Sequence, residues 1–433
     1  MHSVASEQHD RAVLVGIDLG GHAGISSEES LAELKALAES AGASVEATVS
    51  QRLKAPDPRT FIGRGKTGEV GEISRMTDAT VAIFDDALSP AQSRNLENQL
   101  KLRVIDRSQL ILDIFAQRAR TLEGKLQVEI AQLAYLQPRL TRQWTHLSRV
   151  RGGAAGGGGG GVGARGGGVG TRGPGETQLE VDRRRLRERL TRLRTRLKQV
   201  ERTRDNQRRR RLEVPYPTVA LVGYTNSGKS TLLNVLTGAN VEAANRLFST
   251  LDPTIRRVRL PNRMTVMIAD TVGFIHRLPH TLVEAFKATL EEVRTADLLL
   301  HVVDASSELA AEHMDIVDRV LEEIGAGATR RIIVMNKIDL VEHPPRIAAN
   351  ALAISALRSH GLEPLLECIG RELGITRQEV AVTIAANRGD LIAMARREGE
   401  VISEEYRDGV VAMRARVSPP VAGRLRKANL AEA

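Results

Sequence analysis

From Ala12 to about Ala119, short apolar runs (AVLVGI, ASVEATV, TVAIF, LRVI) alternate with helix-length amphipathic stretches. Strand-length runs separated by helices rather than by hairpin turns predict βα repeats around a parallel sheet. From Leu122 to Leu147 the apolar residues Leu126, Ile130, Leu133, Leu140, Trp144 and Leu147 keep helical spacing. Pro138, which has no N–H to donate, should kink or interrupt that helix. A second set, Leu179, Leu186, Leu190, Leu193, Leu197 and Val200, recurs at four- and three-residue intervals within dense arginines, so the two stretches predict a helical hairpin. Between them lies RGGAAGGGGGGVGARGGGVGTRGPGE, whose glycines offer no side chains to bury and which predicts a mobile basic tip.

After Arg211 the arginines stop at EVPYP, and a second alternating α/β region runs to about Leu373. From Thr376 the strand-like VAVTI and VVAMRARV flank an amphipathic helix candidate, Asp390 to Glu398. The predicted fold class is α/β, in four parts: an N-terminal parallel α/β domain (1–121), a basic two-helix hairpin with a Gly-rich tip (122–213), a second α/β domain (214–375) and a small α+β C-terminal domain (376–433).

Composition narrows the setting. The chain has 433 residues, of which 42% are apolar, enough to build a packed core in each part. Lys and Arg outnumber Asp and Glu by 62 to 53, and this basic balance favours anionic partners without choosing between nucleic acid and an acidic membrane. The single cysteine, Cys368, cannot form an intramolecular disulfide and reads as a small core residue. No stretch approaches 18 uninterrupted apolar residues, and MHSVASEQHD lacks the basic and apolar regions of a secretory signal; a soluble, cytoplasmic protein is expected.

The chemistry sits in the second α/β domain. Gly223, Gly228, Lys229 and Ser230 spell G-x4-G-K-S between an apolar strand and an amphipathic helix, which makes this a P-loop domain. The backbone of Tyr224, Thr225, Asn226, Ser227 and Thr231 would surround the phosphates, Lys229 would reach the β and γ oxygens, and the Ser230 hydroxyl would ligate magnesium. Asp270-Thr271-Val272-Gly273 ends the strand MTVMIA, where the carboxylate can hold magnesium through water and the Gly273 N–H can meet the γ-phosphate. Asn336-Lys337-Ile338-Asp339 follows RIIVM, and the Asp339 carboxylate can accept from guanine N1–H and the 2-amino group, an arrangement adenine lacks. Ser355-Ala356-Leu357 is similar to the loop whose backbone contacts the guanine oxygen. Each piece alone reads as an ordinary turn or surface loop; their order and strand-end placement together predict a guanine-nucleotide site.

With those residues in hand, the chain resembles translation-factor-class GTPases, and within them the HflX family, across nearly its whole length. Outside the nucleotide motifs the resemblance rests on TFIGRGKTGEV, FDDALSPAQSRNLE, VIDRSQLILDIFAQRA, GTRGPGETQLEVDRRR and LFSTLDPT. It implies that Phe248, Ser249, Thr250, Leu251 and Asp252 form the first switch around the nucleotide, with Thr250 ligating magnesium; Thr254 is the second candidate. It also implies GTP as substrate, binding to the large ribosomal subunit, splitting of stalled or idle ribosomes under stress, and hydrolysis stimulated there. The run Gly156 to Gly161 is longer than that family's tip.

Lys229, Thr250 and Gly273 are the residues expected to carry catalysis. Small GTPases commonly place a water-orienting glutamine after DxxG; here Phe274 stands there, so slow intrinsic turnover is expected. Asn226 either coordinates an activating potassium ion or braces the loop. Arg183, Arg184, Arg185, Arg187, Arg189, Arg192, Arg194, Arg196, Arg202 and Arg204, followed by Arg208 to Arg211, exceed the acids on their helix and predict rRNA contact through phosphates. Arg165 and Arg172 in the glycine tip either thread an RNA-walled space or belong to a linker. With 3% aromatics, base stacking is a minor mode. Gly63-Arg64-Gly65-Lys66 is a weak nucleotide pattern that a tight turn explains equally well. No stable membrane association and a monomer off the ribosome are expected. Two other classes remain open at this point: an ATP-dependent RNA chaperone or helicase using the GRGK region, and a membrane-surface regulatory GTPase.

Overall fold

The computed structural model describes residues 10–20, 25–139, 178–211, 216–239, 247–248, 250–262, 264–277, 290–342, 351–373, 378–407 and 409–430. Three sheets organise them. The first is parallel throughout, in the order β2 (Ser44–Arg52), β1 (Arg11–Asp18), β3 (Val81–Phe84), β4 (Arg103–Asp106). Successive side chains of a strand point to opposite faces, and β1 uses both. Ala12 and Leu14 pack under helices α1 (Ser27–Ser40) and α4 (Arg107–Arg118), with Leu34, Leu37, Ile111 and Phe115. Val13 and Val15 pack under α2 (Arg64–Met76) and α3 (Pro90–Leu100), with Val70, Phe84 and Leu96. Two capping boxes, Ser26 with Glu29 and Ser89 with Gln92, start α1 and α3 by satisfying otherwise orphaned amides.

Helix α5 (Leu122–Leu136) ends in a 3-10 turn at Gln137–Arg139, where Pro138 withholds its donor. Its expected continuation to Leu147 and the Gly-rich tip lie outside the described residues. Helix α6 (Gln178–Arg211) packs against α5 and is 34 residues long, about 50 Å at the helical rise. Leu190 of the predicted apolar register is buried, and the neighbouring Arg189 pairs with Glu129 on α5.

The second sheet runs β10 (Leu352–Ala353), β9 (Arg331–Asn336), β8 (Leu298–Asp304), β5 (Thr218–Val222), β7 (Thr265–Asp270), β6 (Thr254–Arg259). Only the β6–β7 pair is antiparallel. Helices α7 (Lys229–Thr237), α8 (Glu291–Arg294), α9 (Ala310–Glu323) and α10 (Leu362–Glu372) cover it, and Cys368 packs half-buried against its core. The third sheet is antiparallel, β11 (Gln378–Ala385), β13 (Val410–Val417), β12 (Glu400–Arg407), with α11 (Gly389–Glu398) and α12 (Pro419–Lys427) on one face. The whole is an α/β protein with a small α+β appendage. No helix among the described residues is long and apolar enough to cross a membrane.

Candidate functional site

The buried strand β5 delivers Gly223 at its carboxyl end, and α7 begins at Lys229, so a strand end and a helix N-terminus converge on the loop between them. Gly228 has φ +94°, and a Cβ there would collide with the Asn336 amide, so only glycine serves. Lys229 is buried, and its Nζ donates to the carbonyls of Gly223 (3.0 Å) and Tyr224 (2.7 Å). Burial pulls its pKa down to about 8, with Asp270 opposing the shift and Lys337 adding to it. A cavity of about 270 Å³ opens here, bordered by Thr225, Asn226, Lys229, Ser230 and Thr231 on one side and by Asn336, Asp339, Ala356 and Leu357 on the other.

Three oxygens meet beside Lys229. Asp270 Oδ2 lies 2.7 Å from both Ser230 Oγ and Thr250 Oγ1, and the two hydroxyls lie 2.8 Å apart. Asp270 Oδ1 is buried with no hydrogen-bond partner. Three hard oxygens with an unspent carboxylate lone pair suit a magnesium ion. The DxxG backbone is laced to the phosphate loop: Thr225 N–H donates to Phe274 O (2.8 Å), Phe274 N–H to Gly223 O (3.1 Å), and the Thr271 hydroxyl to Leu221 O (2.6 Å). A Cβ on Gly273 would stand 2.9 Å from Thr225 Cα and 3.1 Å from Lys229 Nζ. The Phe274 ring is buried in the core with Val222 and Leu299, so it orients no water.

At the other rim, Asn336 is buried and bridges two loops. Its Nδ2 donates to Ser227 O (2.9 Å), and its Oδ1 accepts from Ala356 N–H (2.9 Å). Lys337 adopts a left-handed conformation, φ +65°, and its Nζ pairs with Asp304 at 2.6 Å. Asp339 stands exposed in the turn Ile338–Leu340, on the cavity rim. The Ser355 hydroxyl accepts from Arg358 N–H, which shapes the loop that presents Ala356 and Leu357.

Residues 218–337, which hold the phosphate loop, match the model of a family described as 50S ribosome-binding GTPase; residues 28–116 match GTP-binding GTPase N-terminal and residues 118–211 match GTP-binding GTPase Middle Region. The GTPase HflX of Escherichia coli (strain K12) is 48% identical over 352 residues, covering 80% of this chain and 79% of that one. The GTPase HflX of Caldanaerobacter subterraneus subsp. tengcongensis is 45% identical over 420 residues, covering 96% and 93%. This chain belongs to the GTPase HflX family. Among solved structures, a GTP-binding protein from the archaeon Sulfolobus solfataricus in complex with GDP aligns over 84% of this chain and 99% of its own, at 23% identity and a TM-score of 0.42.

In this HflX-family chain the segment around Thr250 turns partly away from the cavity. Phe248 borders the cavity but packs edge-on against Phe115 of α4, ring centroids 4.6 Å apart. Leu251 and Val272 enter the apolar cluster of the first sheet, and the Asp252 carboxylate turns away to accept from the backbone of Arg120 and Thr121. The side chains of Leu251 and Asp252 are committed to the neighbouring unit, through apolar burial and through three hydrogen-bond donors on Arg120 and Thr121. Ser249 lies outside the described residues.

Other polar contacts around the site follow from no motif. The Tyr224 hydroxyl donates to Glu33 and accepts from His276 N–H (2.8 Å), while Arg107 is buried between Glu33 and Asp85. Burial raises the Glu33 pKa against the pull of Arg107. Arg277, just past the DxxG strand end, pairs with Asp86. The available signals were charged pairs closing apolar strands, DD after TVAIF and D-R after RVI.

Proposed function

We propose that this GTPase binds the large ribosomal subunit in its GTP state and splits stalled or idle ribosomes in the cytoplasm, converting GTP and water to GDP and phosphate at a rate the ribosome raises. We read the chain as four working parts: residues 1–121, the hairpin 122–213, the GTPase domain 214–375 and the appendage 376–433. The observation that carries the reading is helix α6, whose exposed arginines Arg184, Arg185, Arg187, Arg192, Arg194 and Arg196 stand on a hairpin joined through α5 to the first switch. The description 50S ribosome-binding GTPase, matched over residues 218–337, supports the ribosomal partner.

Hydrolysis here needs positioning and charge neutralisation more than covalent chemistry. Lys229 would leave its two carbonyls for the phosphate oxygens, and Gly273 N–H would meet the γ-phosphate. Asp339 would accept from guanine, while Asn336 holds the base loop to the phosphate loop. Ser230, Thr250 and Asp270 would hold magnesium, which supplies further positive charge to the phosphates. With Phe274 in the core, no side chain at that position orders the attacking water, so the missing order is assigned to the ribosome. Sedimentation of intact ribosomes with this protein and GTP, a non-hydrolysable analogue or GDP tests the reading: separated subunits are expected with the two triphosphates alone. Undivided ribosomes under all three nucleotides would refute it.

A further inference from the structure

Between the phosphate-sensing threonine and the RNA-facing hairpin stands one carboxylate. Asp252 lies two residues after Thr250, and it does not face the nucleotide cavity. Its Oδ2 accepts from the N–H groups of Arg120 and Thr121, each at 2.9 Å, and its Oδ1 accepts from the Thr121 hydroxyl. Those donors are the amides and the N-cap of helix α5, where unpaired N–H groups and the helix dipole both favour a negative charge. Thr121 in turn accepts from Gly124 N–H at 3.0 Å, so one hydroxyl serves helix α5 and the switch together. The fit is close: a Cβ on Gly124 would collide with the Asp252 carboxylate. On either side of Thr250 the same segment is anchored again. Phe248 and Leu251 are each 2% exposed, and Leu247 N–H reaches Ser40 Oγ at 3.3 Å.

The geometry points to Asp252 as a positioning residue: docked on the N-terminus of α5, it holds Thr250 against Ser230 and Asp270, and so couples the bound triphosphate to the first helix of the hairpin. While the carboxylate stays docked, two residues of chain keep Thr250 within about 7 Å of it. A triphosphate that draws Thr250 onto magnesium therefore stabilises the Asp252 contacts, and those contacts stabilise triphosphate binding to the same degree. A diphosphate offers Thr250 nothing to hold and gains nothing from the docking. The inference rests on the assignment of Thr250 to the magnesium site and needs no ribosome.

The test uses the full-length protein with magnesium, calorimetric affinities for GDP and for a non-hydrolysable GTP analogue, and hydrogen exchange at the amides of Arg120 and Thr121. In the native protein those two amides are expected to exchange more slowly with the analogue than with GDP. Gly124→Ala improves helix propensity yet displaces the carboxylate, so its effect is separable from misfolding. It and Thr121→Val are each expected to weaken the analogue about tenfold while changing GDP affinity less than twofold, and to abolish the exchange difference. Thr121→Ser, which keeps the hydroxyl, is expected to behave as the native protein. Native analogue-to-GDP ratios in both Gly124→Ala and Thr121→Val would overturn the coupling. If Thr250→Ala also leaves the ratio unchanged, the magnesium-site assignment itself falls; if Thr250→Ala lowers the ratio and the other two do not, the coupling alone falls.

Discussion

Two nearby side chains divide the proposed base site. Asn336 is buried and ties Ser227 to Ala356, whereas Asp339 stands exposed on the rim with its carboxylate available to a ligand. Asp339→Asn should therefore spare the scaffold and invert the hydrogen-bond pattern offered to the base. Affinity for GTP is expected to fall about 10–100-fold while xanthosine triphosphate gains, measured by competition calorimetry; an unchanged guanine preference would move base reading to another residue. These residues were legible because each motif is contiguous and sits at a strand end. The hydrogen bond between Glu33 and Tyr224 was not, since 191 positions separate its partners and no spacing rule links them. The docking of Asp252 was not legible for a related reason: its donors lie some 131 positions away.

Periodicity carried most of the elements. The βα repeat, the seam of α6 and the strands of the second sheet all follow from apolar spacing, because burial on one face or two leaves that trace. Helix α12 was not predicted, although Val421, Ala422 and Leu425 keep helical spacing; it opens with Pro419-Pro420, and proline suits the first helical turn, where its missing N–H costs nothing. Strand β8 shows what full burial does to a polar residue. His301 is 1% exposed, and burial, with Arg331 and Lys229 adding to it, pulls its pKa to about 3. It is thus neutral, and its 3.8 Å approach to Asp318 is not an ion pair. The unfolded chain takes up this proton below its ordinary pKa near 6.5, while the folded chain refuses it until about 3, so stability falls as pH drops through that window. The slope is at most about 1.4 kcal/mol per pH unit. Urea titrations at pH 7 and pH 5 should show the native protein losing about 2 kcal/mol more than His301→Leu; equal losses would mean that His301 titrates normally.

At the scale of the molecule, a surplus of positive charge is concentrated on one long helix. If α6 grips phosphates, ribosome binding should weaken steeply with salt, each contact adding roughly −0.7 to −0.9 to the log–log slope. Replacing Arg192, Arg194 and Arg196 together by Gln is expected to flatten that slope by roughly 2 in sedimentation assays between about 50 and 200 mM salt. A slope identical to that of the native protein would remove these arginines from the interface. What no reading of separate segments foresaw is that the two α/β units share an interior: Phe248, Leu251, Val272 and Ile275 lie in one apolar cluster with Leu14, Leu34 and Phe115. That shared interior fixes the direction of rest. Pulling Phe248 and Leu251 out of it would expose two large side chains, on the order of 3–6 kcal/mol of lost burial. Any posture that lifts these two side chains out of that interior therefore carries this cost, and their return recovers it.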